Sequence, residues 1–313
     1  MSDKQKNSIR MPVDIAMTVI LLCLMAYQVS GEALHEWFGI AMTILLIVHH
    51  ILNRRWYVSL FKGRYNPYRV MTTTVNMLLL VAIGLTAVCG MSMSNHAVPF
   101  LYGILPVSFA RRMHLSISYW SFLLMGLHLG FHLPAMTAKM KLAKTTSTVL
   151  NCLFVVVAGL GLGCFLRNGI PDYLFFKTPF AFFDYDKSGL MVFLENLAEL
   201  LCFAFLGTNL VRLVQGKKKT EKNASLLPLI NILLCILIGV EILYLNKDKG
   251  SASDDADSQN TENVSEKADS EVTENGESTK PAEISGGFVM ISGGTSMSED
   301  VSKWLDKSGI ERQ

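Results

Sequence analysis

Charged residues are scarce in this chain: they make up only 17% of its 313 residues, whereas hydrophobic residues make up 50%. The apolar residues occur in runs of about twenty, the length that an α-helix needs to cross the hydrocarbon core of a bilayer. This pattern excludes an ordinary water-soluble domain and predicts an all-α integral membrane protein. No nucleic-acid partner is expected.

Cysteine motifs are also absent. The six cysteines lie scattered within apolar runs, and no two of them form Cys-x-x-Cys. The chain therefore lacks the Cys-x-x-Cys-His signature that attaches c-type haem, and the cysteines are interpreted as buried small hydrophobes. Residues 159–163, Gly-Leu-Gly-Leu-Gly, resemble a dinucleotide-binding turn but lie inside an apolar run with no preceding strand. They are interpreted as a packing feature, and no soluble nicotinamide- or flavin-binding reductase domain is predicted.

Seven apolar segments are predicted to span the membrane: residues 12–30, 34–53, 70–93, 110–133, 147–166, 188–213 and 225–246. Lys and Arg are concentrated at the N-terminus and in the connections after the even-numbered segments. Those parts are therefore predicted to be cytoplasmic. The first segment is interpreted as an anchor rather than a cleaved signal. The odd number of spans places the C-terminal tail outside, and a bacterial plasma membrane is the expected location.

Two pairs of histidines share one spacing: His35 with His49, and His114 with His128. Fourteen residues of α-helix rise about 21 Å and leave the two side chains about 40° apart on one face. Both pairs lie in even-numbered spans, so the helices run in the same direction and each level holds one imidazole from each helix. Ionisable side chains are costly in a bilayer and usually mark a site. The spacing predicts two bis-histidine iron sites stacked across the membrane, the ligand set of a di-haem b cytochrome.

The other histidines are weaker candidates. His50 should point about 100° away from His49 on the helix. His132 lies one turn beyond His128 and could replace it as a ligand. His96 is expected in a solvated outer loop, with a flavin or quinone contact as the alternative.

Arginines and glycines near the histidines fit a bound macrocycle. Arg111 and Arg112 precede His114 by less than one turn and could pair with the propionates of an outer haem, while Arg54 and Arg55 could serve an inner haem. Anchoring at the membrane interface is the alternative for these arginines. Four glycines would let either a flat cofactor or a neighbouring helix approach closely: Gly39, Gly84, Gly126 and Gly130.

The chain is predicted to have four parts. Residues 1–134 form a four-helix haem-binding bundle, and residues 135–246 add three transmembrane helices with an aromatic outer loop at 172–186. Residues 247–284 contain almost no large apolar side chain and are expected to form a disordered acidic linker. Residues 285–313 form a short C-terminal segment.

Several segments of this sequence resemble segments of one known family. They are Leu34-His35-Glu36-Trp37 with Val48-His49-His50, Arg112-Met113-His114 with Leu127-His128, and Tyr173-Leu174-Phe175-Phe176-Lys177-Thr178 followed by Phe182-Phe183-Asp184. Over residues 12–215 the chain resembles the bacterial flavinylation-associated cytochromes, which belong with the cytochrome b and ferric-reductase-like membrane bundles. The resemblance implies two non-covalent b-type haems and an extracytosolic partner that carries covalently linked FMN.

The C-terminal segment could itself supply that flavin. Ser292-Gly293-Gly294-Thr295 resembles the SGAT flavinylation motif, although Gly294 replaces the usual alanine. The resemblance implies that a flavin transferase joins FMN to Thr295 through a phosphoester. A glycine-rich turn between a strand and a helix is the alternative.

The predicted function is electron transfer across the membrane through two haems. A quinol or a reductase would donate electrons at the cytoplasmic side, and a flavin on the tail or on a partner would accept them outside. The chain would then be the membrane subunit of an oxidoreductase, with no catalytic residue of its own. The alternatives are a metal-ion transporter that uses the histidines as transient ligands, and a structural or sensory membrane protein.

Overall fold

A computed structural model describes residues 3–140, 143–216 and 226–244. The predictions for residues 247–284, for residues 285–313 and for Thr295 lie outside the described residues. The described part is all-helical and contains no strand. Its helices are α1 (Asp3–Met25), α2 (Tyr27–Leu52), α3 (Arg55–Leu60), α4 (Pro67–Met91), α5 (Val107–Lys139), α6 (Lys144–Arg167), α7 (Ile170–Leu174), α8 (Gly189–Gly216) and α9 (Leu226–Tyr244).

Six of these helices are long and apolar enough to cross a membrane: α2, α4, α5, α6, α8 and α9. They correspond to the last six predicted spans and are compatible with a multi-pass membrane protein. The first predicted span, residues 12–30, is not among them, and its predicted bounds are also wrong. Inside the predicted span, α1 ends at Met25 and α2 begins at Tyr27. Gly31 has φ 70°, a conformation that favours glycine, and it kinks the start of α2.

α1 lies antiparallel along α2. At one end, the Arg10 guanidinium donates a hydrogen bond of 2.7 Å to the carbonyl oxygen of Leu52. Further along, Met17 and Leu21 pack in one apolar cluster with Met42 of α2. α1 therefore extends over much of the depth that α2 covers.

α5 occupies the centre of the bundle, where it packs against α4 on one side and α8 on the other. α8 in turn packs against α6. One core cluster joins Phe122 of α5 and Leu200 of α8 to α1 and α2. The later helices therefore share a core with the first four predicted spans.

Glycines permit the closest approaches between helices. A Cβ atom at Gly126 would lie 2.6 Å from Phe203 Cβ, and one at Gly130 would lie 2.9 Å from Ala204 Cα. Both glycines thus face α8, so helix packing, not contact with a macrocycle, is their role. The packing role predicted for residues 159–163 is also confirmed, because a Cβ at Gly161 would lie 2.9 Å from the backbone nitrogen of Glu199.

Candidate functional site

A cavity of about 580 Å³ lies between α1, α2, α4 and α5. It exists because α2 packs along α1 but makes only sparse contact with α4 and α5. The volume is within the range of small-molecule and cofactor sites. His35 of α2 and His114 of α5 line it from opposite walls, together with Gly39 and Arg111.

The structure brings the predicted outer pair together. The ring centres of His35 and His114 are 6.0 Å apart, with an angle of 73° between the planes. Two metal–nitrogen bonds of about 2 Å, with about 1 Å from each nitrogen to its ring centre, require a separation of about 6 Å. The separation of the two imidazoles is therefore compatible with one metal ion held between them, and in this respect the residues present fit a haem at this level.

The hydrogen bond of His114 determines which of its nitrogens can bind a metal. Its Nδ1 lies 3.0 Å from the carbonyl oxygen of Thr86. Because a carbonyl only accepts, Nδ1–H is the donor, and Nε2 of the neutral ring is left with its lone pair. Gly90 provides room for this ring, since a Cβ there would lie 3.1 Å from His114 Cε1. On the opposite wall, Nδ1 of His35 is buried and has no hydrogen-bond partner among the described residues.

At the inner level the structure forms a cluster of four histidines. The ring centres of His49 and His50 are 5.6 Å apart, and those of His128 and His132 are 4.8 Å apart. His128 also interacts electrostatically with His49 and His50. The predicted ligands His49 and His128 are therefore within electrostatic range of each other, but the closest ring of each is a histidine of its own helix.

Each predicted inner ligand has a hydrogen-bond acceptor on Nδ1. His49 donates to the Asp14 carboxylate at 2.8 Å, and His128 donates to the side-chain oxygen of Asn76 at 2.8 Å. Histidines that bind metals usually donate their second N–H in this way, which fixes the ring and its tautomer. With His114, three of the four predicted ligands have the hydrogen-bond acceptor that metal-binding histidines usually have.

His50 has an environment that the helical spacing alone did not indicate. Its Nδ1 lies 2.7 Å from the hydroxyl of Tyr57, and its Nε2 is buried with no hydrogen-bond partner in the described part of the chain. His50 is therefore a further candidate ligand at the inner level. His132, in ring contact with His128, also stays a candidate there.

The two arginines before His114 have different surroundings. Arg111 lines the cavity that contains His35 and His114. Arg112 lines a separate small cavity next to Phe109. Arg111 is thus the arginine placed to pair with an anionic group of a bound cofactor.

Glu36 fixes the connection between α4 and α5 over the cavity. Its carboxylate accepts hydrogen bonds from the Ser94 hydroxyl and from the backbone N–H groups of the next three residues, at 2.7–2.9 Å. Ligand atoms of Glu36, Glu32 and His96 lie within 4.8 Å of one another. Because the Glu36 oxygens already accept four hydrogen bonds, anchoring of the loop accounts for this group without a metal ion. The side chain of His96 is exposed.

The aromatic segment of residues 172–186 covers the mouth of the cavity. Phe183 lines the cavity and stacks on Tyr27, with ring centres 5.6 Å apart and an interplanar angle of 21°. Gln28 donates a hydrogen bond of 3.2 Å to the carbonyl oxygen of Asp184. Its location at the headgroup level stays a prediction; in the structure the segment forms one side of the site.

Sequence reasoning did not find the residues that orient the histidines. Asp14, Asn76 and Thr86 lie 35, 52 and 28 positions from the histidines they bond. Asp14 and Asn76 could have been suspected from the sequence, because both lie within predicted spans. Polar groups are costly there and usually have a partner. The same reasoning applies to Glu199 inside α8.

Comparison with known proteins assigns no family. The chain matches no protein-family model, no curated protein and no solved structure. Its function is therefore argued from the site.

Proposed function

We propose that this chain transfers electrons across a membrane through two b-type haems, as the resemblance to flavinylation-associated cytochromes implies. The observation that carries the proposal is the 6.0 Å separation of the His35 and His114 rings. These rings come from two helices that otherwise barely touch, so packing between the helices does not by itself explain their juxtaposition. When bound, a haem with two histidine ligands supplies one-electron transfer and has no open position for oxygen activation.

At the outer level, each residue has a defined task. His35 and His114 hold the iron, and the Thr86 carbonyl keeps the lone pair of His114 Nε2 available. A Cβ at Gly39 would meet nothing within 4 Å, so this part of the cavity wall leaves space for a flat ring. Arg111 pairs with a propionate. Tyr27 and Phe183 exclude water from the mouth.

At the inner level, His49 and His128 hold the second iron. The Asp14 carboxylate and the Asn76 side chain fix the orientation of these two imidazoles. The basic residues at the N-terminus and in the loops predict that this level lies on the cytoplasmic side. Electrons then enter here from a quinol or a reductase and leave from the outer level.

The acceptor outside the membrane is a flavin in this proposal. It is carried either by Thr295 of the chain's own tail, after modification by a flavin transferase, or by an extracytosolic partner. Intact-mass measurement tests the first case in a host that contains the transferase. An added mass of one FMN in the natural chain, absent from Thr295→Ala, supports it, and equal unmodified masses exclude it.

Visible spectroscopy of the purified protein tests the haem proposal. The natural chain should give a reduced b-type spectrum with about two haems per chain, and His35→Ala or His114→Ala should retain about one. His96→Ala is the matched control, because its ring is exposed and outside the cavity lining. A colourless protein, or equal haem content in all variants, would contradict the proposal.

The inner histidine cluster also favours a second candidate, binding or transport of a transition-metal ion. Neutral imidazoles and a carboxylate are suitable ligands for such ions, and Asp14 lies beside His49. This candidate predicts a colourless protein that binds Zn²⁺ and loses the ion in His49→Ala. The same spectrum and a metal analysis separate the two.

A further inference from the structure

Glu199 is a fully buried acidic side chain in the middle of the helical bundle. It lies on α8 and is 0% exposed. The close approach of α6 at Gly161 covers its backbone, since a Cβ there would lie 2.9 Å from the Glu199 nitrogen. A carboxyl group at such a position needs a partner or a proton.

The hydrogen bonds around Glu199 leave one of its oxygens without a partner. Oε1 accepts a hydrogen bond of 3.0 Å from the Asn168 side chain, whereas Oε2 is buried and has none among the described residues. The two nearby cations both bond to the neighbouring acid, Glu195: Arg167 to one oxygen, and Lys187 to the other at 3.0 Å. The direct partner of Glu199 is therefore a neutral amide.

The surroundings of Glu199 can stabilise both its neutral and its ionised form. A neutral carboxyl avoids the cost of burying a charge with a bare oxygen. If the proton leaves, the Asn168 hydrogen bond remains and the charges of Arg167 and Lys187 act on the carboxylate. The titratable and charged groups that face Glu199 are Tyr119 on α5, Cys164 and Arg167 on α6, Glu195 and Cys202 on α8, and Lys187 in the loop before α8.

Glu199 is outside the lining of the candidate-site cavity but interacts with a residue that belongs to it. Tyr119 lines that cavity and interacts electrostatically with Glu199. Its ring stacks on Tyr173, with centres 5.1 Å apart and planes at 9°. On the other side, the cluster reaches the protein surface, where the side chains of Arg167 and Lys187 are 33% and 23% exposed.

We propose that Glu199 is a proton-binding site between this surface cluster and the cavity. The site holds one proton on Oε2 as the neutral acid, while Asn168 holds the carbonyl oxygen Oε1. The proton exchanges with solvent from the surface side, where the ionisable groups of Glu195 and Lys187 lie. Exchange moves a proton only and changes no oxidation state. Proton binding does not require a haem; supply of that proton to a redox centre in the cavity rests on the proposed function.

Infrared spectroscopy of the full chain in lipid nanodiscs tests the proposal. At neutral pH the natural chain should show the C=O stretch of a protonated carboxyl group, shifted in D₂O because the proton exchanges. Glu199→Gln should lose this band, and Glu32→Gln, which alters an exposed acid, should keep it. Asn168→Ala should move the band to higher wavenumber, because the carbonyl loses its hydrogen bond.

Circular dichroism and gel filtration of the same samples establish which variants are folded. If Glu199→Gln does not fold, the band in the natural chain and its shift in Asn168→Ala decide the question. Absence of the band from the natural chain, or its persistence in folded Glu199→Gln, overturns the proposal. Visible spectra of the same samples report haem separately, so a failure of the haem proposal is distinguishable.

Discussion

Gly90 should control the position of the His114 ring. The variant Gly90→Ala, which adds a single methyl group, tests this. A Cβ at Gly90 would lie 3.1 Å from Cε1 and 3.3 Å from Nδ1 of the His114 ring, where ordinary contacts are 3.4–4 Å. In Gly90→Ala the ring must therefore move by a few tenths of an ångström. Functional sites generally tolerate displacements of about 0.5 Å.

The displacement also disturbs the hydrogen bond that orients the ring. His114 Nδ1 lies 3.0 Å from the Thr86 carbonyl oxygen. Loss of such an orienting contact typically lowers metal affinity by about 10–100-fold. Because Gly90→Ala disturbs this contact without removing it, we expect the affinity of the outer site for haem to fall by a factor at the lower end of that range, about 10-fold, while the inner site is unchanged.

Gly84→Ala is the matched control for this experiment. Gly84 lies on the same helix, and a Cβ there would meet nothing within 4 Å. Haem titration of the two purified variants, followed by absorbance, gives the affinities of the two sites. If Gly90→Ala and Gly84→Ala bind haem equally well at both sites, the assignment of Gly90 as the residue that makes room for a ligand is wrong.

Two further predictions concern stability. Gly130→Ala should lower the midpoint of thermal unfolding, since the new Cβ would lie 2.9 Å from Ala204 Cα and overpacking typically costs about 1–3 kcal/mol; a midpoint equal to that of Gly84→Ala would contradict close packing of α5 on α8. Burial raises the pKa of Tyr57 above its ordinary value. The free energy of unfolding therefore includes a contribution from the neutral hydroxyl that is fully present below about pH 10 and is lost as the pH rises through the raised pKa. Tyr57→Phe should therefore flatten the loss of stability above about pH 10 in denaturation measurements, and an unchanged slope would show that this hydroxyl does not contribute.

The distance between His35 and His114 was the part of the site that the sequence predicted best. The spacing of each pair predicted that both histidines would lie on one face of a helix, and that the two helices would present them at matching levels. The contact of His35 with His114 agrees with this prediction at the outer level. At the inner level the spacing predicted His49 as the ligand and did not indicate His50. In the structure both adjacent histidines are candidate ligands, because the hydroxyl of Tyr57 forms a hydrogen bond with the His50 ring.

The glycines show where the sequence was ambiguous. Gly39, Gly126 and Gly130 were equally compatible with a flat cofactor and with a packed helix. In the structure Gly39 borders the cavity, whereas Gly126 and Gly130 face α8. A glycine shows only that space is needed, and the rotation of the helix about its axis decides what fills that space.

The sequence by itself determined the last six apolar spans and the positions of the histidines along their helices, because hydrophobic periodicity and the rise per residue are properties of a single helix. Only the tertiary structure decided that α2 stands apart from α5, that Phe183 closes the resulting cavity, and that Asp14, Thr86 and Asn76 orient the rings. Those features depend on which faces of separate helices meet. No local pattern encodes that choice, since it follows from the packing of all the helices together.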